Sequence, residues 1–299
     1  MKKIAILIIG VILIGLESCH YYGPCIDGVG PTISEVRSLS GFSSISNAGS
    51  FDVYLTQADS FYVEVRGQGN LLPYVETYIS GSTLIVETQN SACLRNSIPI
   101  SIFVSLPEIN VLSLSGSGLV SSEKLEDNLL EVVLAGSGQI MIDSLYGGKI
   151  ILGNSASGGI TTGYIDAGSI QAYMSGSGTI DAGKVASSNE IGINHSSSGS
   201  FYMNVETGIN VNTSLSGSGR VVLYGDVEET SFMNSGSGRI DALEMISGTC
   251  VASNSGSGEI FVNVADYLQA TIMGSGDIIY RGDPEISYRI TGSGKLRKY

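Results

Sequence analysis

From residue 112 to the carboxyl end, apolar positions recur in blocks about twenty residues apart. One column reads Val120, Ile140, Ile160, Ile180, Phe201, Val221, Ile240, Ile260, Ile278 and Leu296, without a polar member. A second reads Leu112, Val132, Leu152, Ala172, Ile193, Thr213, Phe232, Ala252, Ala270 and Tyr288, with Thr213 its only aliphatic polar entry. A looser third follows Leu125, Leu145, Ile165, Val185, Val205, Val227, Met245 and Ala265. Between the second column and the first lies Ser-Gly-Ser-Gly or a close variant, beginning at Ser115, Ala135, Ser155, Ser175, Ser196, Ser216, Ser235, Ser255, Met273 and Thr291.

Within a block, Leu112, Leu114, Gly116, Gly118 and Val120 fall on alternate residues, the period of a half-buried strand. Twenty residues are too few for a strand, a crossover helix and a second strand. Three apolar columns per unit instead imply short strands wrapped around one narrow interior. The expected fold is all-β: a right-handed parallel β-helix of about ten 20-residue coils, a rod roughly 48 Å long at about 4.8 Å per coil. The glycines fall on the inward parity, where a missing Cβ lets the wall bend or approach the opposite wall. The serines form an outward hydroxyl ladder. The spacing suits either a flat strand or a corner. Asn154, His195, Asn234 and Asn254 also take the inward parity, where stacked side chains are expected to bond to the coils above and below. His195 has no acidic or Cys partner at catalytic or metal-binding spacing, so a ladder role is preferred over ligand or base.

The first residues read differently. "MKKIAILIIGVILIGLESC" has two lysines and an apolar run from Ile4 to Leu16, too short to span a bilayer comfortably and suited to an export signal. Its "LESC" ending resembles a bacterial lipoprotein signal, which makes Cys19 the expected lipidation site. The expected organisation is a cleaved signal over 1–18, a tether over 19–34, a β cap or irregular coils over 35–110, and the β-helix repeats over 111–299, with 35–299 one continuous domain. Residues 40 to 110 hold strands such as "FDVYL" and "ISIFVSL" but lack the Gly-Ser signature, as befits a cap over the open end of a solenoid. Lys295, Arg297 and Lys298 place charge on the last strand, which discourages end-to-end sheet growth.

"GSFDVYLTQ", "YVEVRGQGNLLPYVET", "LPEINVLSLSGSG" and the recurring "SGSG" together resemble the bacterial secreted proteins and lipoproteins described as putative auto-transporter adhesin, head GIN domain. The resemblance runs from about residue 35 to the carboxyl end. It implies a β-helical or stacked-β fold, an envelope location and attachment, and it supplies no catalytic motif.

Composition narrows the function. A net charge of −13 disfavours nucleic acid as a partner and leaves the lipid anchor as the expected membrane contact. Cys25, Cys93 and Cys250 match no zinc pattern and allow one disulfide, its pairing open. Asp143, Asp166, Asp181, Asp226 and Asp241 are spread singly along the units, as turn and solubility residues are, and form no catalytic pair. The 15 Tyr form no column that the spacing places on one face. The expected function is that of a non-catalytic envelope lipoprotein, held at the outer membrane on its surface or periplasmic face. Its expected partners are surface glycans or extracellular and envelope proteins, bound through repetitive outer faces; no cofactor, metal or catalytic residue is assigned. A purely structural envelope role and a β-helical polysaccharide lyase or hydrolase are the alternatives.

Overall fold

The computed structural model describes residues 25–299, so the signal and Cys19 lie outside it. Equivalent residues of consecutive units stand over one another. The column from Val120 to Leu296 is paired strand to strand, always in parallel. So is the column from Leu112 to Tyr288. The fold is an all-β solenoid of about nine turns.

Pairing between coils lapses at residues 123 and 128, which divides a coil into three sides. The first side covers 129–134, the second 119–122 and the third 124–127. The Ser-Gly-Ser-Gly motif is the bend between the first side and the second, so it is a corner. Six residues per coil point inward: Val120, Ser122, Leu125, Leu130, Val132 and Leu134 are all buried. The Leu130 position is a full column of its own, paired through Ile150, Ile170, Ile191, Val211, Thr230, Cys250 and Leu268.

The reason for glycine in the corner differs from the expected one. A Cβ on Gly158 would lie 2.1 Å from the carbonyl oxygen of Gly138, one coil below, and 2.9 Å from the Leu134 side chain. The space that the glycine leaves is occupied by the neighbouring coil, not by the opposite wall. The buried amides also behave differently from expectation, bonding chiefly within their own corner. Asn154 accepts from the Ala156 N–H at 3.0 Å and donates to the Gly158 carbonyl at 2.9 Å, with a further bond upward to Thr179. Asn234 and Asn254 repeat the arrangement.

The third column corrects in its upper part. Val205 pairs with Gly225 and Gly225 with Met245, while Val227 pairs with Ser247. Gly225 has φ +111°, beside a register shift between Val222 and Tyr224. Gly225 thus takes the register of Val205 and Met245, while Val227 is buried in the core at the position paired with Ser247. Ala265 is exposed and Val264 is the buried residue there.

The amino-terminal part begins with β1 (Ile26–Asp27), β2 (Thr32–Val36), β3 (Ser44–Asn47) and β4 (Asp52–Gln57). It continues through β5 (Tyr62–Gln68), β6 (Val75–Ser80), β7 (Thr83–Thr88), β8 (Leu94–Arg95) and β9 (Ser101–Leu106). Strands β3 and β4 are already a coil. Asn47 caps the bend between them, donating to the Phe51 carbonyl and accepting from the Gly49 N–H. They stack in parallel under β10 (Val111–Leu114) and the start of β11 (Leu119–Leu134), and over β7 and β9. There the direction reverses: β5 runs antiparallel to β9, β2 to β5, and β6 to β7. These reversed strands close the apolar end. The expected tether is part of this cap from Cys25 onward, because Cys25 is disulfide-bonded to Cys93, β1 pairs with β8 and β2 with β5. At the other end, Arg297 and Lys298 pair with Asp277 and Asp283.

Candidate binding cleft on the third side

The third side is where the coil turns from Lys124 to Asp127, and its outward residues come in register from coils twenty residues apart. Lys124 pairs with Ser144 and Ser144 with Tyr164; Glu126 pairs with Tyr146 and Tyr146 with Asp166. Tyr146 and Tyr164 are therefore diagonal neighbours on adjacent coils, with ring centroids 6.1 Å apart and planes tilted by 59°. Lys124 Nζ sits 4.8 Å from the Tyr146 centroid and 2.7 Å from Glu126 Oε2.

Beside the rings the wall falls away. Gly147 and Gly148 follow Tyr146, Gly147 pairing with Asp127, so that coil adds no side chain to the surface, where only the Asn128 side chain of the coil below reaches. An open cleft of about 670 Å3 results, lined by Glu108, Asn110, Glu126, Asp127, Tyr146 and Asp166 among others. Asn110 Nδ2 donates to Asp127 Oδ2 at 3.2 Å, which orients the carboxylate. Gln57 fixes the rim, accepting from the Glu126 N–H at 2.7 Å and donating to the Glu126 and Pro107 carbonyls. A second cleft of about 520 Å3 opens on the other side of Lys124, with Tyr54, Met141 and Asp143 in its wall.

The hydrogen bond to Glu126 raises the Lys124 pKa, and that to Glu206 raises the Lys184 pKa. Burial, then the negative charge of Asp166, raises the Tyr164 pKa. At neutral pH both lysines are thus cations and Tyr164 keeps its hydroxyl proton. The cleft offers the Tyr146 ring, carboxylate acceptors and amides in one open surface, with Tyr164 against the far edge of that ring. Such a set suits a ligand with apolar C–H faces and many hydroxyls.

The acids singled out in the sequence are scattered among roles. Asp166 and Asp143 line the two clefts. Asp181 accepts from the Gly183 N–H at a register irregularity within its strand, and Asp241 pairs with Arg220 and Arg239. His195 serves its corner, bonding to Gly199 and Ser197. Among the described residues, no three of His, Cys, Asp and Glu are grouped to hold a metal ion. The tyrosine pair escaped sequence reasoning because its members are eighteen residues apart in a twenty-residue repeat and so fall in different columns; Gly147 and Gly148 beside Tyr146 were the available signal.

Solved structures share this architecture. A crystal structure of a putative lipid binding protein from Parabacteroides distasonis is 25% identical, with a TM-score of 0.51 over 92% of this chain and 100% of that one. A putative adhesin from Parabacteroides merdae is 18% identical, with a TM-score of 0.57 over 93% of this chain and 100% of that one. No curated protein matches the chain. The profile of one family matches residues 41–217 and 175–284, and the chain belongs to that family, described as putative auto-transporter adhesin, head GIN domain.

Proposed function

We propose that this chain is an exported, non-catalytic attachment protein, lipidated at Cys19 and held at the outer membrane, which binds glycan at the third-side cleft. The observation that carries this reading is the Tyr146 ring, set in the cleft with the Glu126 and Asp166 carboxylates and packed 6.1 Å from the Tyr164 ring. Sugar rings lay C–H faces on such aromatics while their hydroxyls donate to carboxylates. The family's description as adhesin supports attachment as the role. Glycoside hydrolysis needs one carboxyl held protonated by an apolar pocket beside one that stays ionised. Glu108, Glu126 and Asp166 all stand exposed, which supports binding without catalysis.

The test is a glycan array probed with the purified protein and with Tyr146→Ala, alongside vesicles of phosphatidylethanolamine. Glycan binding lost in the variant supports the proposal. Silence on every glycan favours a structural envelope role, and vesicle binding indifferent to Tyr146 replaces glycan with lipid. Protease shaving of intact cells decides which membrane face carries the rod.

A further inference from the structure

The two ends of the solenoid differ. Reversed strands cover the interior at the amino-terminal end, whereas at the other end the last strand of the first side, Glu285–Ile290, pairs with the coil below along one edge and leaves its other edge bare. Ile286, Tyr288 and Ile290 continue the inward columns of Leu268, Ala270 and Ile272. Those three are buried, but Tyr288 is 65% exposed and Ile290 39%. The backbone there is open as well. The Thr291 N–H bonds down to the Ile272 carbonyl, as the Glu131 N–H bonds down to that of Asn110. Strand alternation then points the N–H and C=O of Ile286, Tyr288 and Ile290 away from the coil below, toward whatever lies beyond. Unpaired amides with apolar side chains between them form an edge that accepts another strand.

We propose that this edge pairs with the same edge of a second copy, antiparallel across a two-fold axis at Ser287, so that two rods join tip to tip. The sequence Glu-Ile-Ser-Tyr-Arg, residues 285–289, is complementary to itself about its centre. Ile286 meets the partner's Tyr288, each with its free backbone groups aimed at the other, so the two exchange both N–H···O bonds of an antiparallel ladder. Their side chains point inward and cover both open interiors. Glu285 meets the partner's Arg289 in the closer, non-hydrogen-bonded pair, which sets opposite charges together on the outside. The neighbouring cations Arg281, Arg297 and Lys298 are paired within the chain with Glu244, Asp277 and Asp283, whereas Glu285 and Arg289 have no ion-pair partner among the described residues.

Shape and charge around the tip fit the same operation. A coil climbs about 4.8 Å per turn. Leu296–Lys298 on the second side stacks one level above Ile278–Arg281, while the third side ends lower, at Gly282–Pro284. A two-fold through the first side sets the high second side of each copy over the low third side of the other. Lys295, Arg297 and Lys298 therefore meet the side that holds the partner's Asp283, and not their own copies. Residues 277–299 hold five Lys and Arg against three Asp and Glu, in a chain of net charge −13, so tip-to-tip contact keeps the acidic bodies apart. Six residues at about 3.3 Å make a coil about 20 Å wide and an end face on the order of 400 Å2 in each copy. That is the size of a reversible contact, and a micromolar dimer is expected. Growth stops at two, since the amino-terminal ends are closed.

Sedimentation velocity on the purified chain, from about 1 to about 100 µM, should show a monomer–dimer equilibrium. Glu285→Arg and Arg289→Glu each set like charges opposite one another and should weaken the dimer about tenfold; together they should restore it. Ser287→Cys tests the register, because the two copies of that position form a non-hydrogen-bonded pair with Cα atoms about 4.5 Å apart, within reach of a disulfide. Oxidation should cross-link the chain through position 287, located by peptide mapping, while Gln269→Cys, one coil down the same column, should not cross-link. Circular dichroism confirms that each variant is folded. A monomer throughout the range overturns the proposal, as do species larger than a dimer, a dimer indifferent to the charge swaps, or cross-linking no stronger at 287 than at 269. Tyr146→Ala should leave the dimer unchanged, so glycan binding and tip pairing stand or fall separately.

Discussion

His195 closes its corner with the same pair of hydrogen bonds that Asn154 makes two coils below. Its Nε2 lies 2.8 Å from the Gly199 carbonyl oxygen, and Asn154 Nδ2 lies 2.9 Å from that of Gly158. Its Nδ1 receives the Ser197 N–H at 3.3 Å, as Asn154 Oδ1 receives that of Ala156 at 3.0 Å. The Nε2–H tautomer of a neutral imidazole satisfies both partners; a second proton would remove the acceptor. Burial lowers the His195 pKa below the ordinary 6.5. Between that lowered value and 6.5 the unfolded chain binds the extra proton, so this residue's contribution to stability is present above 6.5 and is lost as pH falls through the window. Thermal melts at about pH 7.5 and about pH 5.5 should show a smaller loss on acidification for His195→Asn than for the wild type. His195→Ala strands both backbone partners and should cost about 2–4 kcal/mol.

The two glycines of a corner should differ in tolerance. The second motif position already holds Ala156 and Ser197 in two coils, whereas the fourth is glycine from Gly118 to Gly294. At the fourth position a Cβ meets both a carbonyl of the coil below and the inward side chain before that coil's corner; for Gly219 these are Gly199 O at 2.4 Å and His195 Nε2 at 2.5 Å. Gly219→Ala should therefore cost about 3 kcal/mol or more, and Gly217→Ala less. Denaturant unfolding measures both.

The Cys25–Cys93 bond closes a loop 68 residues long that contains the first coil and most of the cap. Its reduction should lower stability by about 2–4 kcal/mol. Hydrogen exchange should show the loss first in β1, β2 and β8, which it ties down, and last in the middle coils.

Cys250 lies in the Leu130 column between Thr230 and Leu268, and burial pushes its thiol up to about 12. A thiolate is the reactive form, so peptide mapping after alkylation should find Cys250 unmodified in the folded protein and labelled in denaturant.

Much of this architecture was legible because the core positions repeat. Val120 and Leu112 head columns that the structure pairs in the register the sequence predicts, and Cys19 apart, no functional residue had been singled out. The misreadings have local causes. Val227 is buried as expected but stands off the column's register, because Gly225, with its positive φ, takes the position between Val205 and Met245. The first coil was hidden because Phe51 stands where later corners have glycine, and because the cap strands separate Val53 from Val120, its partner above. Cys25 and Cys93 meet through that same excursion, which spacing does not encode. The cleft depends on diagonal neighbours and on absent side chains, neither of which a column search detects.

The account's central claim is that the third side binds glycan through Tyr146. Calorimetric titration of a glycan identified on the array, into wild type and Tyr146→Ala, tests it directly. The account predicts that the variant keeps the wild-type melting temperature and loses at least about tenfold in affinity, the scale expected for one ring face of about 1.4 kcal/mol. Equal affinity in the two proteins would contradict it.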